Sequence, residues 1–198
     1  MLEKTRGIVL HTLRYTDSKV IVTMFTEARG AVSFMVRMPH SRRSVMQNVL
    51  LTPLSLLEVD IDYQETARLQ RLVDVRVDEP YQSLPYHPMK QTIALFLSEF
   101  LYYSLREEQR NPELYDYLES SLLWLDNRSE RYANFPLTFL IRLSRFLGFW
   151  PDTEEAQKVL RQGEDTLVPL IVRMDFPSMH LFRFTREQRQ RLMQVLND

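Results

Sequence analysis

Between residues 7 and 38 the chain alternates short apolar, β-branched runs with polar turns. Residues 7–16 (GIVLHTLRYT) and 19–26 (KVIVTMFT) are rich in Val, Ile, Thr, Tyr and Phe, and Asp17-Ser18 between them is a turn signal. Ala28-Arg29-Gly30 marks the next turn, where Gly30 can take a positive φ, and residues 31–38 (AVSFMVRM) complete a three-stranded meander. Residues 39–48 (PHSRRSVMQN) read as a polar, basic loop. A fourth strand follows Pro53 over residues 54–61 (LSLLEVDI), and a fifth spans 67–77. The fifth ends in strict alternation, Val73, Asp74, Val75, Arg76, Val77, which predicts valines inward and charges outward. Five short strands with no long helix among them fit a small closed barrel rather than a doubly wound sheet.

The period changes after Asp78-Glu79-Pro80. Pro80, Pro85 and Pro88 punctuate a link, which puts a domain boundary near residue 80. Over residues 89–109, Ile93, Phe96, Leu97, Phe100, Leu101 and Leu105 recur at intervals of three and four, the pattern of an amphipathic helix. Asn111-Pro112-Glu113 combines a cap, a first-turn proline and an acid at the positive end of the dipole, and opens a second helix to about Leu125. A third, over 136–149, lines up Phe139, Leu140, Leu143, Phe146 and Leu147, with Arg142 and Arg145 largely off that stripe. A short polar helix is expected at 152–161. A last one is expected from Thr185, whose capping box closes with Gln188, to Leu196. The fold class is therefore α+β: a five-stranded barrel over residues 1–80 followed by an all-α domain over 81–198.

Composition narrows the chemistry. The chain has 198 residues, 44% hydrophobic and 26% charged, values of an ordinary globular protein rather than a disordered one. With no cysteine, disulfide frameworks, four-cysteine zinc modules, iron–sulfur clusters and thiol catalysis are excluded, and a reducing compartment fits. The four glycines have no phosphate-loop spacing. No signal-peptide pattern opens the chain, and the most apolar helical stretch, 92–105, is shorter than the ~20 residues that span a bilayer. The expected location is cytoplasmic.

The net charge of −1 hides an asymmetry: of 25 Lys/Arg and 26 Asp/Glu, residues 1–50 hold eight basic and three acidic side chains. A basic first quarter on an acidic remainder points to a localised anion-binding face, with a scattered, solvated surface as the alternative. Arg37, His40, Arg42 and Arg43 cluster at the end of the third strand and in the loop after it, while Arg14 and Lys19 flank the first turn. On a five-stranded barrel, the exposed sheet face and its loops are where single strands of nucleic acid lie. Tyr15 or Phe34 could add a ring for base stacking, or could simply fill the core.

Other chemistry is sparse. His11, His40, His87 and His180 are isolated, with no metal-ligand spacing, so no metal or other cofactor is expected. Glu58, Asp60 and Asp62 share one strand face at period two. Such a row either holds Mg²⁺ for a nuclease or is a solvated face.

The pattern Gly7-Ile-Val-Leu, Tyr15-Thr-Asp17-Ser and Ile21-Val-Thr-Met-Phe25-Thr26-Glu27, with Gly30 following, resembles the N-terminal domain of the bacterial DNA repair family RecO. So does Leu51-Thr-Pro53-Leu. Phe139-Leu-Ile-Arg-Leu-Ser-Arg-Phe-Leu-Gly148-Phe149 with Pro151 looks like that family's helical domain, and Arg173-Met174 to Met179-His180-Leu181-Phe182 like its Bacteroides-type variant. The resemblance implies an OB-fold barrel joined to a helical domain, in a non-enzymatic recombination mediator. It implies binding of single- and double-stranded DNA, annealing of complementary strands, and association with RecR. It also implies contact with the acidic tail of single-stranded-DNA-binding protein, so that RecA is loaded onto coated strands. The DNA-binding positions carried over are Arg14, Lys19, Arg37, Arg42 and Arg43. Arg142 and Arg145 are candidates for the tail. Many relatives hold a four-cysteine zinc module in the helical domain; without cysteine this chain is expected to lack zinc. The classes that compete with this reading are the metal-dependent nuclease and a protein-only adaptor.

Overall fold

The computed structural model describes residues 2–38 and 49–148, together with Thr185 and Glu187. The basic loop at 39–48 and the expected helix at 152–161 lie outside the described residues, as does the last expected helix apart from those two positions. The described chain belongs to two compact units, Met1–Asp126 and Asn127–Asp198.

The first unit contains a closed barrel of β1 (Leu2–Thr16), β2 (Lys19–Thr26), β3 (Gly30–Arg37), β4 (Leu56–Asp62) and β5 (Gln70–Val77), ordered β1-β2-β3-β5-β4. Neighbouring strands are antiparallel except β3 and β5, whose parallel pairing of Phe34 with Gln70 and Met35 with Arg71 closes the barrel. Every second residue points inward, so Val9, Val22, Met24, Phe34, Val59 and Ile61 fill the interior.

Two details differ from the sequence pattern, and Phe34 takes the core place the sequence reading allowed it. β1 starts at Leu2 rather than residue 7: the charged segment Leu2–Arg6 has little strand propensity of its own and is held by pairing with β4, from Leu2 opposite Asp62 to Arg6 opposite Glu58. Phe34 is wholly buried and offers no ring to a ligand. The alternation of β5 fails at Val73 and Val77, which are 50% and 40% exposed. The register shifts between Asp60 and Ile61, so Asp60 faces Asp74 but Ile61 faces Leu72. That shift turns Leu72 and Val75 toward the core and leaves Val73 outside.

Two helices complete the first unit: α1 (Pro88–Leu105) and α2 (Pro112–Asp126). α1 buries Ile93, Leu97, Leu101 and Leu105, while Phe96 and Phe100 are only half-buried. Asn111 Oδ1 accepts the Leu114 N–H at 3.1 Å, the cap that the Asn-Pro-Glu sequence predicts. The change from strand to helix comes near residue 80, but packing groups both helices with the barrel and carries the compact unit to Asp126.

The helices cover only part of the outer barrel surface. Ile8 and Phe25 point outward yet are wholly buried, with the Phe25 ring 6.5 Å from that of Tyr115 on α2. The β2–β3 turn meets the α1–α2 connection, where the Ala31 N–H donates to Glu108 O at 3.0 Å. Further along β1 the cover ends, and His11, Leu13 and Tyr15 are exposed. In the second unit, α3 (Phe135–Phe146) buries Phe139, Leu140 and Leu143. Phe146, expected on the same stripe, is 37% exposed at the end of the helix.

Candidate nucleic-acid interface

Beyond Ile8 and Phe25 the outer face is organised by strand register into three rows, the first still partly covered by α1. His11, Thr23 and Ser33 form the first. Leu13, Ile21, Met35 and, through the parallel pairing, Arg71 form the second. Thr16, Lys19 and Arg37 form the third. Lys19 and Arg37 stand directly opposite each other on β2 and β3. Facing like charges in a sheet destabilise it unless an anion lies over them. Arg14, opposite the core residue Val20, lies on the inward side of β1 and is exposed at the barrel's end, and a register shift between Arg14 and Thr16 leaves Tyr15 outside the pairing and 62% exposed.

The eight basic residues of the first quarter therefore separate into classes that the sequence alone did not distinguish. Lys4 pairs with Glu58 at 2.8 Å, and Arg29 with Glu3 at 3.0 Å while lying over the Tyr63 ring. Arg6 donates to Glu27 at 3.0 and 3.1 Å and to Glu119 at 2.7 and 2.9 Å, and reaches Asp116 at 3.4 Å. The hydrogen bond to Glu27 raises the Arg6 guanidinium above its ordinary range and holds the Glu27 carboxyl below its own; burial pushes the Glu119 carboxyl up despite Arg6. These three cations are committed to the fold. Arg14, Lys19 and Arg37 have no acidic partner among the described residues, and all three are exposed. Arg42 and Arg43, with His40, lie outside the described residues.

Arg71 also reaches this face, and the sequence reading missed it. It is exposed and enters the face because β5 pairs with β3; no ion pair holds it among the described residues, although Asp62 of β4 stands opposite it. Thirty-odd residues separate it from Arg37 in the chain, so only the barrel's closure brings them together.

The carboxylate row of Glu58, Asp60 and Asp62 runs along β4, where Asp62 stands opposite Arg71 and adjoins the basic face, while Glu58 is met by cations. Glu58 takes Lys4 and lies 3.9 Å from Arg76, which also holds Asp74 at 2.7 Å. Among the described residues no group of three His, Cys, Asp or Glu is placed to hold a metal ion. None of the described helices is long and apolar enough to cross a membrane. His11 is stacked on Tyr102 and His87 precedes α1 as its cap residue; His180 lies outside the described residues.

In the second unit, Arg142 and Arg145 lie on α3, half-buried and exposed respectively. At intervals of three and four, Arg142, Arg145 and Phe146 are neighbours on the helix, with Phe146 in line with buried Phe139 two turns earlier and Arg145 turned furthest from it.

A closed five-stranded barrel with one uncovered, unpaired basic face defines the class: an OB-type barrel protein with attached helices. The comparisons narrow it further. Residues 1–81 match the model for "Recombination protein O N terminal" and residues 87–159 that for "Recombination protein O C terminal". The chain is 41% identical to the DNA repair protein RecO of Phocaeicola vulgatus and 39% identical to that of Bacteroides fragilis; each alignment covers all of this chain and 90% of the relative. The Porphyromonas gingivalis protein is 29% identical over all of this chain and 91% of its own. The chain belongs to the RecO family, with its similar relatives among Bacteroides-type bacteria, as the motif resemblance indicated.

Proposed function

We propose that this member of a DNA repair family is a recombination mediator that performs no covalent chemistry. Its barrel holds DNA by the phosphates on the face carrying Lys19, Arg37 and Arg71, with Arg14 at the barrel's end; Arg42 and Arg43, which follow β3 in the chain, are proposed to contribute as well. Phosphate contacts position a strand without reading its sequence, and base pairing between two held strands supplies the specificity of annealing. The observation that carries this reading is the Lys19–Arg37 pair: two like charges face each other on an uncovered sheet, with no acid to neutralise either among the described residues.

The remaining partners follow from the family. RecR and the acidic tail of single-stranded-DNA-binding protein are the expected protein partners, acting toward loading of RecA in the cytoplasm, at the nucleoid. For the tail, Arg142 and Arg145 would meet its carboxylates while the exposed Phe146 offers apolar contact.

Charge reversal tests the reading. If about five phosphates are neutralised, log affinity for a single strand falls against log salt with a slope near −3.5. In Lys19→Glu/Arg37→Glu, binding should weaken for every sequence and the slope flatten by about 1.4, two phosphates' worth. Annealing with and without single-stranded-DNA-binding protein should fall in parallel. Unaltered affinity and slope would remove this face from the model.

A further inference from the structure

We infer that the edge of the basic face carries a base-stacking platform, formed by His11 of β1 with Tyr102 and Tyr103 of α1, which binds unpaired bases and so favours single-stranded over duplex DNA. The inference rests on the phosphate-binding reading above and extends it to a part of the surface without cationic side chains in its rows.

The geometry is specific. The His11 and Tyr102 rings stack with centroids 4.4 Å apart and planes at 27°. Tyr103 meets Tyr102 edge-on at 5.2 Å, and is itself 63% exposed. These rings are not core: His11 is exposed and Tyr102 half-buried, while the buried face of α1 is made by Ile93, Leu97, Leu101 and Leu105. Two rings already held against each other lose little side-chain freedom when a third planar group stacks on them. Leu13, 53% exposed, lies two positions from His11 on the same face of β1 and continues the apolar surface toward the cations.

Strand register fixes the spacing. His11 is opposite Thr23, and Lys19 lies four residues from Thr23 along β2. That is about 13 Å at ~3.3 Å per residue. An extended strand whose phosphates rest on Lys19 and Arg37 thus reaches the rings with its next bases. In a duplex those bases are paired and stacked on one another, and no ring face is offered. A protein partner is the other occupant an exposed aromatic patch suggests; Lys19 and Arg37, two rows along the same face and without an acidic partner among the described residues, favour a polyanion with planar groups.

The test compares an oligothymidylate with a duplex of equal length, by fluorescence anisotropy over a salt series, using the full chain. Both substituted side chains are exposed, and thermal unfolding checks that each variant folds. His11→Ala/Tyr103→Ala should lose roughly tenfold on the single strand, the order of one stacked base. Its salt slope and its duplex affinity should be unchanged. Tyr103→Phe, alone, should bind like the parent, because the ring and not the hydroxyl stacks. Equal loss on both DNAs, no loss on either (the result expected of a protein-docking patch), or a Tyr103→Phe defect as large as that of Tyr103→Ala would each overturn the platform. Lys19→Glu/Arg37→Glu run in parallel separates the two ideas. If it loses affinity while the ring variant does not, only the platform fails; if it binds normally, the phosphate reading itself fails.

Discussion

The guanidinium of Arg6, on the first strand, holds the carboxylate of Glu119, on the second helix, through two hydrogen bonds of 2.7 and 2.9 Å. It also clasps Glu27 in the turn after β2 and lies 4.9 Å from the centre of the Tyr115 ring. One side chain thereby ties barrel to helix. Arg6→Ala leaves a largely buried carboxylate without its counter-charge, a loss of roughly 2 kcal/mol. Chemical denaturation should show that decrease with little change in DNA affinity, since Arg6 is not on the open face. A loss below about 0.5 kcal/mol would mean the cluster is a solvated ion pair.

Asp126 sets an acid limit on stability. Its carboxylate accepts the N–H groups of Gln82, Ser83 and Leu84 at 2.8, 2.8 and 2.6 Å, and Lys90 donates to its backbone carbonyl at 2.9 Å. Burial raises the carboxyl, but those N–H bonds outweigh it and hold Asp126 below its ordinary value of 3.8. A lowered acid adds stability above its unfolded value and loses it as pH falls through the folded one. The chain should therefore lose stability below about pH 4 through this group, and Asp126→Asn should be less stable at neutral pH with a shallower acid limb. Parallel acid profiles for the two proteins would refute the assignment.

Gly30 is replaceable only at high cost. Its φ is +72°, and a Cβ there would lie 2.4 Å from the Glu108 carbonyl oxygen. Gly148, at φ +71°, has open space around it. Gly30→Ala should destabilise by more than about 2 kcal/mol, whereas Gly148→Ala should cost only about 1. Thermal unfolding of the two variants compares them directly; equal shifts would remove the close approach between the β2–β3 turn and the α1–α2 connection as the cause.

Arg71 offers a check on the barrel's closure as well as on binding. Arg71→Gln, which removes the charge without setting a second acid opposite Asp62, should flatten the single-strand salt slope by about 0.7, one phosphate contact, without altering fold stability appreciably. Arg76→Glu, on the carboxylate side of the barrel, should leave the slope where it is. If both variants flatten it equally, binding follows overall charge and not this face.

Much of the fold was legible along the chain. β2 matches its predicted bounds because alternating Val, Ile and Phe between two turn signals leave little choice of face or length. The α2 start was legible because Asn111 and Pro112 act locally on the helix they begin. Val73 misled because a single shift next to Asp60 changes which residues face inward, and nothing within β5 encodes a shift that lies in the pairing; Val77, opposite core Leu57, is exposed because the strand ends there.

The basic character of the first quarter, the strand-then-helix order and the family likeness were determined by the sequence itself, since composition, hydrophobic period and motif are local properties. Which cations remain available was decided by tertiary structure alone. Lys4, Arg6 and Arg29 find acids on other elements, while Lys19 and Arg37 are set side by side with none among the described residues, and Arg71 joins them through the one parallel pairing. The physical reason is that a charge's availability depends on its neighbours in space, and barrel closure chooses those neighbours from distant parts of the chain.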